Sequence, residues 1–144
     1  MAYNLVPFYN IDTAVGRNGV NQREDVLLVQ FFLSEIGKKG PHPLPAPATK
    51  LSVNGVADEL LEEWIEWFQL SVRKAQGSGA VDKRIDPAKT MNTPAKQKHD
   101  RVAFDVGSMA AMNITYRKRF RSEHDCLAKA GNCPGELRGN FGAK

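Results

Sequence analysis

Asp58-Glu59-Leu60-Leu61-Glu62-Glu63-Trp64-Ile65-Glu66-Trp67-Phe68-Gln69-Leu70-Ser71-Val72 is the stretch whose periodicity decides the fold. Leu61, Trp64, Ile65, Phe68 and Val72 recur at helical spacing and make one apolar stripe, with Leu60 and Trp67 at its edges. Asp58 stands where an N-cap belongs, and Glu59, Glu62, Glu63 and Glu66 fill much of the remaining surface. Gly77 and Gly79 end the pattern. The period places Trp64 and Phe68 inside and Glu62 and Glu66 in solvent.

Upstream, Val26, Val29, Leu33 and Ile36 define another helix, and Leu28 and Phe32 widen its stripe. Asn21 with Glu24 fits a capping box at its start, and Gly37 and Gly40 fit its end. Between the two helices lie four prolines in seven residues, Pro41 to Pro47, which predict a stiff loop or linker and not a strand. Asn54-Gly55 then marks a tight turn between Val53 and Val56. Downstream, residues 77–103 read as irregular, with Val81 and Ile85 as apolar anchors. Met109, Met112, Tyr116 and Phe120 predict a third helix over 108–120.

These elements predict an all-α protein: a compact three-helix bundle with long irregular loops and a loose C-terminal tail. Residues 1–13 form an arm in which Phe8 and Ile11 pack back beside Tyr3 and Tyr9; residues 14–121 form the helical domain; residues 122–144 form the basic, Gly-containing tail. The 144 residues suffice for one core without metal or disulfide staples. No apolar run is long enough to span a membrane, and Met1 to Val15 carry no secretory signal pattern.

The two helical units also resemble each other at an offset of 36, which aligns Asn18-Gly19-Val20 with Asn54-Gly55-Val56, Leu28 with Trp64 and Phe32 with Phe68. Charge divides as well: residues 1–70 sum to −4 and residues 71–144 to +8, within a net charge of +4. A basic half suits either an anionic partner or a solvated face.

Candidate chemistry is sparse. His42, in the Pro-rich loop, and His99, in a Lys-rich stretch, lie in no catalytic motif and read as surface histidines. Asp58, Glu59, Glu62, Glu63 and Glu66 are explained by helix solvation before glycoside hydrolysis. Cys126 and Cys133 allow a disulfide, two thiols, or with His124 an incomplete zinc site. Tyr116-Arg117-Lys118-Arg119-Phe120-Arg121 mixes cations with aromatics in the manner of single-strand binders. No cofactor, metal or catalytic residue is expected.

Val26-Leu27-Leu28-Val29-Gln30-Phe31-Phe32-Leu33, the turn Val53-Asn54-Gly55-Val56-Ala57, the helix end Trp67-Phe68-Gln69 and the turn Gly79-Ala80-Val81-Asp82 together resemble the peptidoglycan-binding-like domain, a small three-helix cell-wall module. The resemblance spans residues 14–121, with Asn54 for the usual Asp, Ala57 for a second Gly, no Thr at the start of the second helix, and larger loops at 41–47 and 83–103. It implies a noncatalytic module that binds bacterial peptidoglycan, glycan or stem peptide. Asn54, Gly55, Trp67, Gln69 and Arg73 are its candidate contacts, and Trp64 is divided between groove and core. Trp67 is either an aromatic platform or a cover for the core rim. A protein-interaction adaptor of a bacterial secretion or injection system is the alternative on the same fold, and nucleic-acid binding through the basic half is a second. The compartment stays open between periplasm, export without a recognisable signal, and cytoplasm.

Overall fold

Twelve consecutive residues, Asp25 to Ile36, are buried in the first helix, α1 (Arg23–Lys38). A one-sided stripe does not produce that pattern; a helix enclosed on all sides does. The computed structural model describes residues 9–38, 44–77, 79–88 and 108–138. In chain order these residues form β1 (Val15–Gly16), α1, α2 (Glu59–Gln76), β2 (Arg84–Ile85), α3 (Ser108–Arg119), α4 (Arg121–Asp125), a 3₁₀ turn (Leu127–Lys129) and α5 (Gly135–Arg138). The fold is mostly helical, with three longer helices, and α1 contacts α2, α3, α5 and β1. Leu27 and Phe31, which lie off the expected stripe, are buried as fully as Val29 and Phe32 on it.

α2 matches its pattern most closely. The Asp58 carboxylate accepts from the Leu61 N–H at 2.9 Å, and Gly77, in the left-handed conformation, donates to the Arg73 carbonyl at 2.7 Å. Leu61, Trp64, Ile65 and Phe68 are buried. Glu62 and Glu66 are half-buried rather than fully solvated; Glu62 lies 3.6 Å from Arg17, which packs against that side of the helix.

The start of α1 differs from expectation. Asn21 has φ +60° and does not cap the helix. Its amide instead accepts from the Gly16 N–H at 2.7 Å and donates to the Gly16 and Gly19 carbonyls, which closes the loop before the helix. Gly37 does not stop α1 but lies inside it; a Cβ there would come within 2.7 Å of the Trp64 ring. Gly40 lies outside the described residues.

β1 and β2 pair antiparallel, Val15 with Ile85 and Gly16 with Arg84, an element too short to leave a period in the sequence. Residues 121–138 are not a loose tail: His124, Leu127, Ala128, Ala130, Cys133 and Leu137 are all buried. Tyr116 lies among Phe31, Phe32 and Phe120, with ring centroids at 5.8, 4.9 and 5.0 Å.

The arm packs back through Ile11, which is buried, and Tyr9. The Tyr9 hydroxyl donates to the His124 carbonyl at 2.7 Å and accepts from the Leu127 N–H at 3.0 Å. Asn113 on α3 accepts from the Tyr9 N–H and donates to the Tyr9 carbonyl. Asp25 fixes the next residues, accepting from the Asp12 and Thr13 N–H groups and the Thr13 hydroxyl. Tyr3, Phe8, His42, His99 and residues 139–144 lie outside the described residues.

Candidate binding surface

Two glutamines, one on each of the first helices, hold two turns by the same set of bonds. Gln30 Oε1 accepts from the N–H groups of Asn54 and Gly55 at 3.0 and 2.8 Å, while its Nε2 donates to Asn54 Oδ1 and the Val56 carbonyl. Gln69 Oε1 accepts from Asp82 and Lys83 at 3.1 and 2.9 Å, while its Nε2 donates to Asp82 Oδ1 and the Arg84 carbonyl. Asn54 and Asp82 each accept from the N–H two residues on. Gly55 at φ +78° corresponds to Lys83 at φ +61°. An amide offers both donor and acceptor, so a buried glutamine can satisfy a turn that has no sheet or helix of its own.

The clamps revise the internal repeat. They match Gln30 with Gln69, an offset of 39, and the turn 54–56 with 82–84. The offset of 36 slips this by three residues, close to one helical turn, so apolar residues still fall on apolar residues. The Asn18-Gly19-Val20 loop is a different structure, closed by Asn21. The second turn is Asp82-Lys83-Arg84; Gly79 stands outside it, exposed.

Asn54, Gly55, Trp67, Gln69 and Arg73 fall in separate environments. Asn54 and Gly55 lie on the first clamped turn, with Asn54 exposed. Gln69 is 3% exposed and its amide is committed to the second turn. Trp67 is 6% exposed, edge-on to Trp64 at 5.3 Å, with its indole N–H donating to the Leu44 carbonyl. Trp64 is 5% exposed and donates to the Thr49 carbonyl at 2.9 Å. The segment 44–49 therefore covers both rings, and Trp67 is part of the core rim rather than a platform. Arg73 is exposed near the end of α2.

What the first turn does present is a guanidinium. Arg23 Nη1 donates to the Asn54 carbonyl at 3.0 Å, and Nε and Nη2 form a two-pronged pair with Glu136 on α5 at 2.8 and 2.7 Å. The pair holds the Glu136 carboxyl below its usual range, chiefly through the hydrogen bond from Arg23, and raises Arg23 by the same bond. Gly55 makes room for Arg23: a Cβ there would come within 2.7 Å of Nη1. Val20, 69% exposed, precedes Arg23 by three residues, and Val56, 53% exposed, follows Gly55. Arg23 and Glu136 were missed from sequence because 113 residues separate them and neither sits in a pattern.

His124 is buried. Asn113 gives its Nδ2 to the Tyr9 and Met109 carbonyls, so its oxygen faces His124 Nε2 at 3.0 Å, and Nε2 carries the hydrogen. Nδ1 is buried and has no hydrogen-bond partner among the described residues. Burial, then Arg117, push the imidazole down to about 4, against the opposing pull of Asp125. Cys126 and Cys133 are both thiols, the first half-buried and the second buried.

At the basic end of α3, Arg117 pairs with Asp125 and Arg119 donates to the Ile36 carbonyl at the end of α1. Lys118 and Arg121 are exposed. Among the described residues no three His, Cys, Asp or Glu side chains form a group that could hold a metal ion, and no helix is long and apolar enough to cross a membrane. Comparison with protein-family models, curated proteins and solved structures finds no match to this chain.

Proposed function

We propose that this chain is a noncatalytic binding module of the peptidoglycan-binding-like kind, with α1, α2 and α3 as its bundle, and that it recognises the bacterial cell wall. The doubled glutamine clamp carries this reading. Gln30, Asn54, Gly55, Gln69 and Asp82, five of the residues on which the resemblance rests, act together to hold two matched turns. Residues so spent define a scaffold, and a scaffold with two rigid turns on its surface suits recognition rather than turnover.

Within the wall, the stem peptide is favoured over the glycan. Sugar rings stack on exposed aromatic faces, and both tryptophans lie under the segment 44–49. The first turn holds an oriented guanidinium and carries the exposed Val56, which suits a short peptide bearing carboxylates and methyl groups.

Co-sedimentation with purified sacculi tests the reading: the protein pellets with the wall, and protein that stays in the supernatant at saturating wall refutes it. The exposed Val20 and Val56 favour a second reading, a protein-interaction adaptor of a secretion or injection system. That reading predicts no pelleting, and cross-links from the 18–20 and 54–56 turns to a protein partner.

A further inference from the structure

We propose that the Arg23 guanidinium is a recognition site for a peptide carboxylate and that Glu136 fills this site from within the chain. The ligand class rests on the wall reading above: the free carboxylate of a stem peptide.

Three observations support the site. First, the guanidinium is oriented independently of Glu136. Nη1 is held by the Asn54 carbonyl, in a turn that Gln30 fixes, and Gly55 leaves the space that the side chain occupies. Second, this anchoring turns the Nε–Nη2 edge toward a carboxylate. That edge matches two carboxylate oxygens in a plane, and Glu136 meets it at 2.8 and 2.7 Å. Third, both partners are about half exposed, at 53% and 50%, so an incoming carboxylate can replace Glu136 without opening the core.

Exposed ion pairs stabilise a fold little, and the core does not depend on this one: α5 is anchored by Leu137, 2% exposed, beside it. Val20 and Val56 are the two most exposed large hydrophobic residues described, and they flank Arg23 along the chain and across the turn. They provide apolar surface for the methyl groups of alanine residues next to the captured carboxylate. Glu24 is the other acidic group acting on Arg23, and it makes no bond to the fork. Because Glu136 is tethered, its effective concentration at Arg23 is high. Free carboxylates therefore compete poorly in the native chain and better once Glu136 is neutralised.

The test uses acetyl-D-alanyl-D-alanine, followed by calorimetry and by the ¹⁵N–¹H signal of Arg23 Nε. Glu136→Gln is expected to bind this probe at least tenfold more tightly than the native chain. The carboxamide form of the probe is expected not to bind, and Arg23→Gln in the Glu136→Gln background to abolish binding. Equal affinity in the native chain and Glu136→Gln, or binding that survives Arg23→Gln, overturns the site. Should Glu136→Gln unfold, the native chain decides: saturating probe must move the Arg23 Nε signal, and an unmoved signal overturns the site. Tighter binding of acetyl-L-alanyl-L-alanine overturns the assignment to the wall. Sacculus pelleting separates the two levels. Pelleting with no gain from Glu136→Gln refutes the fork alone, and a gain without pelleting refutes the wall reading and upholds the fork.

Discussion

The Trp67 indole nitrogen donates to the Leu44 carbonyl oxygen at 2.9 Å, which ties α2 to the proline-rich segment that crosses it. Trp64 repeats the arrangement one turn earlier on Thr49. Each bond gives a buried indole N–H its partner, and Pro45 and Pro47, between the accepting carbonyls of Leu44 and Thr49, bring no N–H to compete for them.

Trp67→Ala is therefore expected to cost about 3–5 kcal/mol in urea unfolding, the range for deleting a large core aromatic. Trp67→Phe keeps most of the ring and loses the bond, so it should cost about 1–2 kcal/mol. A Trp67→Ala protein with native stability would assign the ring to solvent or a partner instead.

The clamps make a sharper test. Gln69→Glu replaces the Nε2 donor with an oxygen facing Asp82 Oδ1 and the Arg84 carbonyl. The expected loss is about 2–4 kcal/mol at neutral pH, from repulsion and unpaired acceptors, partly recovered in acid as the new carboxyl takes a proton. Gln30→Glu should lose less and respond less to acid, because it faces the neutral Asn54 amide where Gln69 faces the Asp82 carboxylate. Equal pH responses in the two variants would show that the Asp82 carboxylate is not what opposes the new charge.

His124 predicts an acid dependence. Its folded value of about 4 lies below the ordinary 6.5, so the unfolded chain takes up a proton first. Stability is therefore retained above pH 6.5 and declines between there and about pH 4, by about 3 kcal/mol in all. His124→Gln should flatten that part of the curve, whatever it does to stability at pH 7. An unchanged slope in the variant would place the dependence in other groups.

Glu136 also titrates below its ordinary value, but through a hydrogen-bonded cation where His124 does so chiefly through burial. Arg23 holds its carboxyl below the usual range, so the pair persists as pH falls through ordinary carboxylate values and is lost only below them. Side-chain NMR titration should show Glu136 returning to the ordinary range in Arg23→Gln. Identical titration in both proteins would mean that the pair does not form in solution.

The long helices were legible because burial on one face leaves a period: α2 and α3 lie where Leu61, Trp64, Phe68, Met109, Met112 and Tyr116 place them. α1 was legible as a helix but not as the central one, since enclosure depends on what packs against Gln30, Phe31 and Ser34 from elsewhere. Residues 122–138 were assigned to a loose tail because their turns are shorter than the window in which periodicity shows. Of the candidate site, Asn54 and Gly55 were readable as a turn. Trp67 and Gln69 were chosen for their chemistry, but the Leu44 carbonyl and the 82–84 turn already occupy them.

Tyr9 and Asn113 are bonded across 104 residues, and the Tyr9 hydroxyl reaches its partners at 124 and 127 across more. A ribosome makes Tyr9 long before Asn113, His124 and Leu127, on which it docks. Until then Tyr9 has nothing to bind, and α1, which needs α3 and α5 around it, emerges with much of its apolar surface open. The finished fold therefore forms only after residues 108–138 have been made. A transcript truncated before codon 124 would yield a chain with its clamps encoded but its centre uncovered, a form suited to chaperones and proteases rather than to any ligand.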